Sequence, residues 1–212
     1  GAKVAKFKVG DEVYSRVGDF RIGTFAEQIA VNESDLALKP KTISMEEAAS
    51  IPLVGLTSWQ ALVEIANLKK GQKVFIQAGS GGVGTFAIQL AKHLGAFVAT
   101  TTSSANTALV KSLGADLVID YKTQDFATIL KDYDVVLHSN REAEVLEKSL
   151  KILKPGGTLV SLTGPPTAEF AKKIGLAWPF QMLMGLLSMS VRRKAKKLNV
   201  NFNFLFMRAE GK

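Results

Sequence analysis

Lys73-Val-Phe-Ile-Gln-Ala-Gly-Ser-Gly-Gly-Val-Gly-Thr85 is the stretch that decides the fold. Val74, Phe75 and Ile76 are a short apolar run, the pattern of a strand buried on both faces of a parallel sheet. Gly79, Gly81 and Gly84 fit G-x-G-x-x-G, with Gly82 an extra glycine inside it. In that motif the first glycine permits a tight turn, the middle ones remove Cβ atoms where a pyrophosphate approaches, and the last lets helix pack on strand. Val83, Phe86, Ala87, Leu90, Ala91 and Leu94 then recur at helical spacing, which predicts an amphipathic helix over Val83–Leu94. Its free amides and positive dipole end would face the glycine loop and suit a diphosphate.

Working outward, the following segments alternate regularly. Strands are predicted at 74–77, 96–101, 117–119, 134–137 and 158–162, with a last candidate in Val200-Asn-Phe-Asn-Phe-Leu-Phe206. Helices are predicted between them at 83–94, 105–113, 125–131 and 142–153. The expected fold is therefore α/β, a doubly wound parallel (Rossmann) sheet of about six strands. Upstream the rhythm changes. Gly10-Asp-Glu-Val-Tyr-Ser15, Gly23–Val31 and Leu36–Pro40 read as short strands without helices between them. Ser44-Met-Glu-Glu47 is a capping box. It opens a helix that Pro52 is expected to interrupt, with a second helix over 53–66. The expected division is a β-rich piece over 1–50 and a dinucleotide-binding domain over 51–212.

Composition narrows the function. At 47% hydrophobic and 22% charged, the 212 residues are ordinary for a globular chain. With no cysteine and only His93 and His138, disulfides, Cys-ligated zinc and a thiol nucleophile are excluded within this chain, and a His-based metal site is not expected. The absence of cysteine suits a reducing compartment, and no targeting segment is read, so the expected location is cytoplasmic. Much of the formal charge of +8 lies between Arg192 and Lys212, where seven basic residues meet one acid. That cluster lacks the interleaved aromatics of a nucleic-acid surface and reads as a solvated face. Ile174–Val191 is interrupted by Pro179, Gln181 and Gly185, so no membrane span is expected there. It reads equally as an apolar substrate mouth or as core or subunit packing.

Ligands of such sheets bind beyond the carboxyl ends of the strands. After the second strand the chain reads Thr100-Thr-Thr-Ser-Ser104, where NAD-binding domains usually carry an acidic residue for the ribose. Hydroxyls without a carboxylate, Thr102 and Ser103 among them, favour NADP. At the fourth strand end, Ser139 and Asn140 are candidates for ribose contacts, or for a helix N-cap before Glu142. His138 is a candidate acid or base by residue type alone. His93 reads as a helix-surface residue, and no residue is assigned a catalytic role.

These segments, taken together, resemble the zinc-independent quinone oxidoreductase and enone reductase group of the medium-chain dehydrogenase/reductase superfamily. The resemblance rests on Gly10-Asp-Glu-Val13, Gly23-Thr-Phe-Ala-Glu27, Ala48-Ala-Ser-Ile-Pro52, Gly55-Leu-Thr57, Gly79-Ser-Gly-Gly-Val-Gly84, Leu113-Gly-Ala-Asp116, Val118-Ile-Asp-Tyr121 and Leu153-Lys-Pro-Gly-Gly157, in the family's order. It implies a partial GroES-like catalytic domain at the N-terminus and NADPH-dependent, metal-free hydride transfer to a quinone or an α,β-unsaturated carbonyl. By the same resemblance, Thr57 contacts the nicotinamide or its ribose, and Ser80, Gly81, Gly82, Val83 and Gly84 hold the pyrophosphate. Ser103 and Tyr121 lie near the 2′-phosphate, and Leu162, Thr163 and Gly164 meet the carboxamide through their backbone. Two places depart from the pattern. Asn106 stands where the family often has lysine, and His138-Ser-Asn140 where it has Asp and Thr before Gly. The family's Asn-Pro-Val-Asp segment and its C-terminal return are expected outside this chain. The resemblance also implies a homodimer through the sheet edge, with Phe202–Phe206 the candidate edge. The alternative carried beside this reading is a nucleotide-binding protein without catalysis.

Overall fold

A computed structural model of the chain describes residues 4–18 and 23–211. By contact it divides into two compact units, Gly1–Thr57 with Met207–Lys212, and Ser58–Phe206.

In the first unit, β1 (Val13–Ser15) pairs antiparallel with β2 (Leu36–Leu38), and the Gly211 amide donates to the Ser34 carbonyl at 2.7 Å. Gly23–Val31 forms no strand among the described residues. Phe25 is fully exposed, so the alternating residues there have no second layer among the described residues to bury against, and a strand needs such a partner to persist. Helix α1 (Met45–Trp59) starts on the capping box: the Ser44 amide donates to Glu47 Oε2 at 2.8 Å, and the Glu47 amide to Ser44 Oγ at 3.2 Å. Pro52 lies inside this helix and does not end it. The helix runs on as a π-helical stretch over Gln60–Ile65, whose Gln60, Ala61 and Leu62 are buried. Burial outweighs the roughly 3 kcal/mol that an interior proline costs. Met45–Ile65 is also long and apolar enough, at mean hydropathy 1.2, to cross a membrane by length and composition.

The second unit is a six-stranded sheet with helices between its strands. In chain order these are β3 (Lys73–Ile76), α2 (Gly82–His93), β4 (Phe97–Thr102), α3 (Thr107–Ser112), β5 (Leu117–Asp120), α4 (Phe126–Ile129), β6 (Tyr133–His138), α5 (Ala143–Lys151), β7 (Leu153–Ser161), α6 (Ala168–Lys173), α7 (Trp178–Lys197) and β8 (Asn201–Phe204). All pairings are parallel, in the order β5-β4-β3-β6-β7-β8. The order reverses between β3 and β6, so loops diverge there and open a crevice.

Strand residues alternate between two cores. Val74, Ile76, Val98, Val135, Leu137 and Val160 meet Ala87, Ile88 and Ala91 of α2. Phe75, Ala99, Ile119, Val136 and Leu159 meet Phe126, Leu146, Leu150 and Val191 on the other side. The buried face of α2 is Gly84, Ala87, Ile88 and Ala91, one position away from the face read from the sequence. Gly84 occupies the place of closest approach, where an apolar pattern does not count a glycine.

Asp134 pins the lower ends of the central strands. Its Oδ2 accepts the Lys73 amide at 2.8 Å and its Oδ1 meets Lys154 Nζ at 2.5 Å. Burial pushes this carboxyl up, but the Lys154 hydrogen bond and the Lys73 amide outweigh it and hold the group below its usual range. Asp134→Ala is expected to lower stability by roughly 1–2 kcal/mol in urea denaturation, because the Lys73 amide is left without its acceptor.

Candidate functional site

The strand–loop–helix turn is built by close contact. Ala78, not a glycine, takes the left-handed conformation at φ +52°. Gly79 donates its amide to Thr101 O at 2.9 Å, and a Cβ on Gly79 would lie 2.2 Å from Thr100 Oγ1. Its smallness therefore serves the approach of β4 and not the turn angle. A Cβ on Gly84 would lie 2.2 Å from the Ala78 carbonyl oxygen and 2.7 Å from Gly79 Cα. The first turn of α2 carries no acidic residue, and its N-cap Gly81 is extended with no capping side chain. The start of a twelve-residue helix thus presents its amides uncapped, an arrangement that suits an anion.

Above this turn lies a cleft of about 820 Å³, walled by Ser80, Thr102, Tyr121, Lys122, Ser139 and Asn140 among others. A recess of about 230 Å³ adjoins it through Gly81 and Ser139 and is closed by Val83, Gly84, Leu137 and Leu162. Both lie over the carboxyl ends of the strands. Ser80 Oγ accepts from Thr102 Oγ1 at 2.9 Å and from Asn106 Nδ2 at 3.3 Å, leaving its own hydrogen to donate. Asn106, at the place of the family's lysine, thus holds Ser80 in position. The β4 end bears hydroxyls and no carboxylate.

The remaining expected site residues fall as follows. Ser103 is the N-cap of the 3₁₀ turn Ser104–Asn106, and Gly82 heads α2. Thr163 Oγ1 donates to the Asn140 carbonyl at 2.6 Å, tying the loops after β6 and β7 together, and Gly164 follows in the same turn. Thr57 is buried, and its hydroxyl donates to the Leu53 carbonyl at 2.7 Å within α1. Asn140 Oδ1 accepts the Glu142 amide at 2.7 Å ahead of α5.

Several wall residues were not singled out in the sequence. Gln77 is buried at the tip of β3; its Nε2 donates to Ser149 Oγ at 2.9 Å and its Oε1 accepts the Ser139 amide at 3.1 Å. A polar residue ending an apolar strand at the carboxyl end was the available signal. Lys148 bridges Asp125 at 2.8 Å and Glu144 at 2.9 Å, which raises its ammonium above the usual range and lowers Asp125. These charges are committed to one another. Trp178, Phe180, Met182 and Met189 are exposed and line neither the cleft nor the recess. In the basic cluster, Arg192 meets Glu169 at 3.6 Å and Lys194 pairs with Glu147.

His138 is 1% exposed and lines neither opening, so its place does not suit proton exchange with a substrate. Burial pushes its pKa down to about 4. Its Nδ1 lies 2.9 Å from Ser161 Oγ, and its Nε2 has no hydrogen-bond partner among the described residues. An orphan buried donor or acceptor of this kind costs about 1–3 kcal/mol.

Residues 82–191, more than half of the chain, match the family described as zinc-binding dehydrogenase. The chain belongs to the zinc-binding dehydrogenase family. It is 42% identical over 181 residues to a 2-methylene-furan-3-one reductase of Solanum lycopersicum, covering 80% of this chain and 46% of that protein. It is 41% identical over 181 residues to a chloroplastic NADPH-dependent alkenal/one oxidoreductase of Arabidopsis thaliana, with the same coverage of 80% and 46%. Among solved structures, the quinone oxidoreductase from Coxiella burnetii superposes with a TM-score of 0.81 at 31% identity, covering 99% of this chain and 60% of that one. The resemblance to quinone and enone oxidoreductases and the expected α/β fold are thus both shown. The chain spans about half the length of the curated relatives it matches. Despite the family's description, the residues of this chain do not fit a zinc site. There is no cysteine, and among the described residues no group of three His, Asp or Glu side chains is placed to hold a metal.

Proposed function

We propose that this chain is the dinucleotide-binding part of an NADPH-dependent reductase of quinones or α,β-unsaturated carbonyls, acting without metal. The observation that carries the reading is the uncapped N-terminus of α2 beneath the cleft, in a first turn packed too tightly for any Cβ at Gly84. NADPH supplies a hydride to an electrophilic carbon of the substrate. The chain's own residues bind and orient. Ser80, Gly81, Gly82, Val83 and Gly84 hold the pyrophosphate through amides and the Ser80 hydroxyl. Thr102, Ser103 and Tyr121 form the pocket for the 2′-phosphate. Ser139, Asn140 and the backbone of Leu162, Thr163 and Gly164 wall the nicotinamide end. The proton that completes enone reduction comes from water or from a donor outside the paired group of Lys148, Asp125 and Glu144.

The same reading makes the protein a homodimer joined along β8, one of the two edge strands of the sheet, with no nucleic-acid or membrane partner. Met45–Ile65 is read as a core helix, because Gln60, Ala61 and Leu62 are buried at 1%, 0% and 0%. We place the protein in the cytoplasm, as a cysteine-free chain permits; a chloroplastic relative shows that its family also works in organelles.

Calorimetric titration tests the cofactor. NADPH is expected to bind at least tenfold more tightly than NADH, because the β4 end offers a 2′-phosphate hydroxyls and no carboxylate of its own. Equal affinities would remove the NADP assignment. Binding without NADPH oxidation in the presence of a quinone or enone, by a protein carrying the complete catalytic domain, would favour the non-catalytic reading.

A further inference from the structure

We propose that His138 and Ser161 form a buried positioning pair that sets the turn after β7 to receive the nicotinamide carboxamide. The inference rests on the dinucleotide reading above. It starts from one hydroxyl. Ser161 Oγ accepts the Gly164 amide at 2.8 Å and, more weakly, the Thr163 amide at 3.4 Å. With both lone pairs engaged, its remaining hydrogen is directed at His138 Nδ1, 2.9 Å away. The imidazole proton then sits on Nε2, the atom without a partner among the described residues. Through Thr163, whose hydroxyl donates to the Asn140 carbonyl, the same hydroxyl also sets the loop after β6. The turn has no slack: a Cβ on Gly164 would lie 2.7 Å from Ser161 Oγ.

An apolar side chain at 138 would fill this position without an orphan nitrogen. Packing therefore does not account for histidine here, whereas an acceptor for the Ser161 hydroxyl does. His138 reaches no ligand itself. It fixes a hydroxyl, which fixes two amides, which shape the wall of the recess that Leu162 closes.

Calorimetric NADPH titration of the 212-residue chain, with urea denaturation in parallel, tests the pair. His138→Leu is expected to weaken NADPH binding about tenfold while leaving the urea midpoint little changed, because the orphan Nε2 donor is gone but the buried Ser161 hydroxyl loses its acceptor. His138→Asn, whose Oδ1 can stand in for Nδ1, is expected to restore binding to within about twofold. A structural role alone would lower stability and binding together. Unchanged NADPH affinity in folded His138→Leu overturns the proposal. If His138→Leu does not fold, Ser161→Ala decides: a shifted Gly164 amide resonance with about tenfold weaker binding supports the pair, and unchanged affinity overturns it. If the folded wild-type chain binds neither NADPH nor NADH, the dinucleotide reading itself falls, and this inference with it.

Discussion

Gly84→Ala is expected to abolish measurable dinucleotide binding and to destabilise the sheet unit by on the order of 3–5 kcal/mol, the upper range for overpacking. One methyl group has this effect because of what it meets. The added Cβ would sit 2.2 Å from the Ala78 carbonyl oxygen and 2.7 Å from Gly79 Cα, both backbone atoms. No rotamer relieves such a contact; either α2 withdraws from β3 or the loop opens. Withdrawal uncovers Ala87, Ile88 and Ala91, which are all fully buried. Opening moves the amides that would hold the pyrophosphate. Gly81→Ala is the internal control, since its Cβ would approach the Ala78 oxygen only to 3.3 Å. That variant should fold almost as well as the wild type and lose affinity through obstruction of the phosphate. Urea midpoints and NADPH titrations of the two variants separate the effects. A Gly84→Ala protein with wild-type midpoint and affinity would show that the packing of helix on strand is not as tight as described.

The same glycines show what the sequence could and could not convey. A glycine pattern between an apolar run and a helical period fixes strand, loop and helix because few chemistries need all three together. The alternation that follows carries the sheet and its crossovers. The pattern does not say which atom each glycine avoids. Gly79 reads as a turn residue, yet the positive φ belongs to Ala78 and the close neighbour of Gly79 is Thr100, a residue from the adjacent strand. Gly23–Val31 fails as a strand for a related reason: its alternation is local, and nothing among the described residues pairs with it. Pro52 fails as a helix end because burial further along the same helix outweighs a local cost. Gln77 left a faint signal as a polar residue ending an apolar strand, but Ser149 in α5 and Ser161 in β7 gain meaning only once their partners are placed. The legible features were those set by period and composition; the others depend on contacts between residues distant in sequence.

Acid is expected to destabilise the protein well above the range in which carboxylates titrate, and His138 is the cause. Burial lowers its pKa from 6.5 to about 4 in the folded chain. Above pH 6.5 neither the folded nor the unfolded state protonates it, so it adds no pH dependence there. Between 6.5 and 4 the unfolded chain binds a proton that the folded chain refuses, and stability falls as pH falls. The slope approaches about 1.4 kcal/mol per pH unit, and the full loss across the window is roughly 3 kcal/mol. Below pH 4 both states carry the proton and the contribution is constant. The carboxylates act lower. Asp125 and Asp134 are held below the ordinary carboxylate range, so what they contribute is lost only as pH falls beneath that range. Urea midpoints from pH 7 to 5 therefore isolate the histidine, with about 2 kcal/mol expected to disappear over that range. His138→Asn, which cannot titrate, should flatten the profile over the same interval while keeping the acceptor for Ser161. An unchanged slope in that variant would assign the acid sensitivity to another group and would mean that His138 takes up its proton in the folded state. In that case Nδ1 would have to donate to Ser161 Oγ, whose acceptor sites are already used by Gly164 and Thr163. The turn after β7 would loosen as the imidazole charged, so the measured slope also reports how firmly that turn is held.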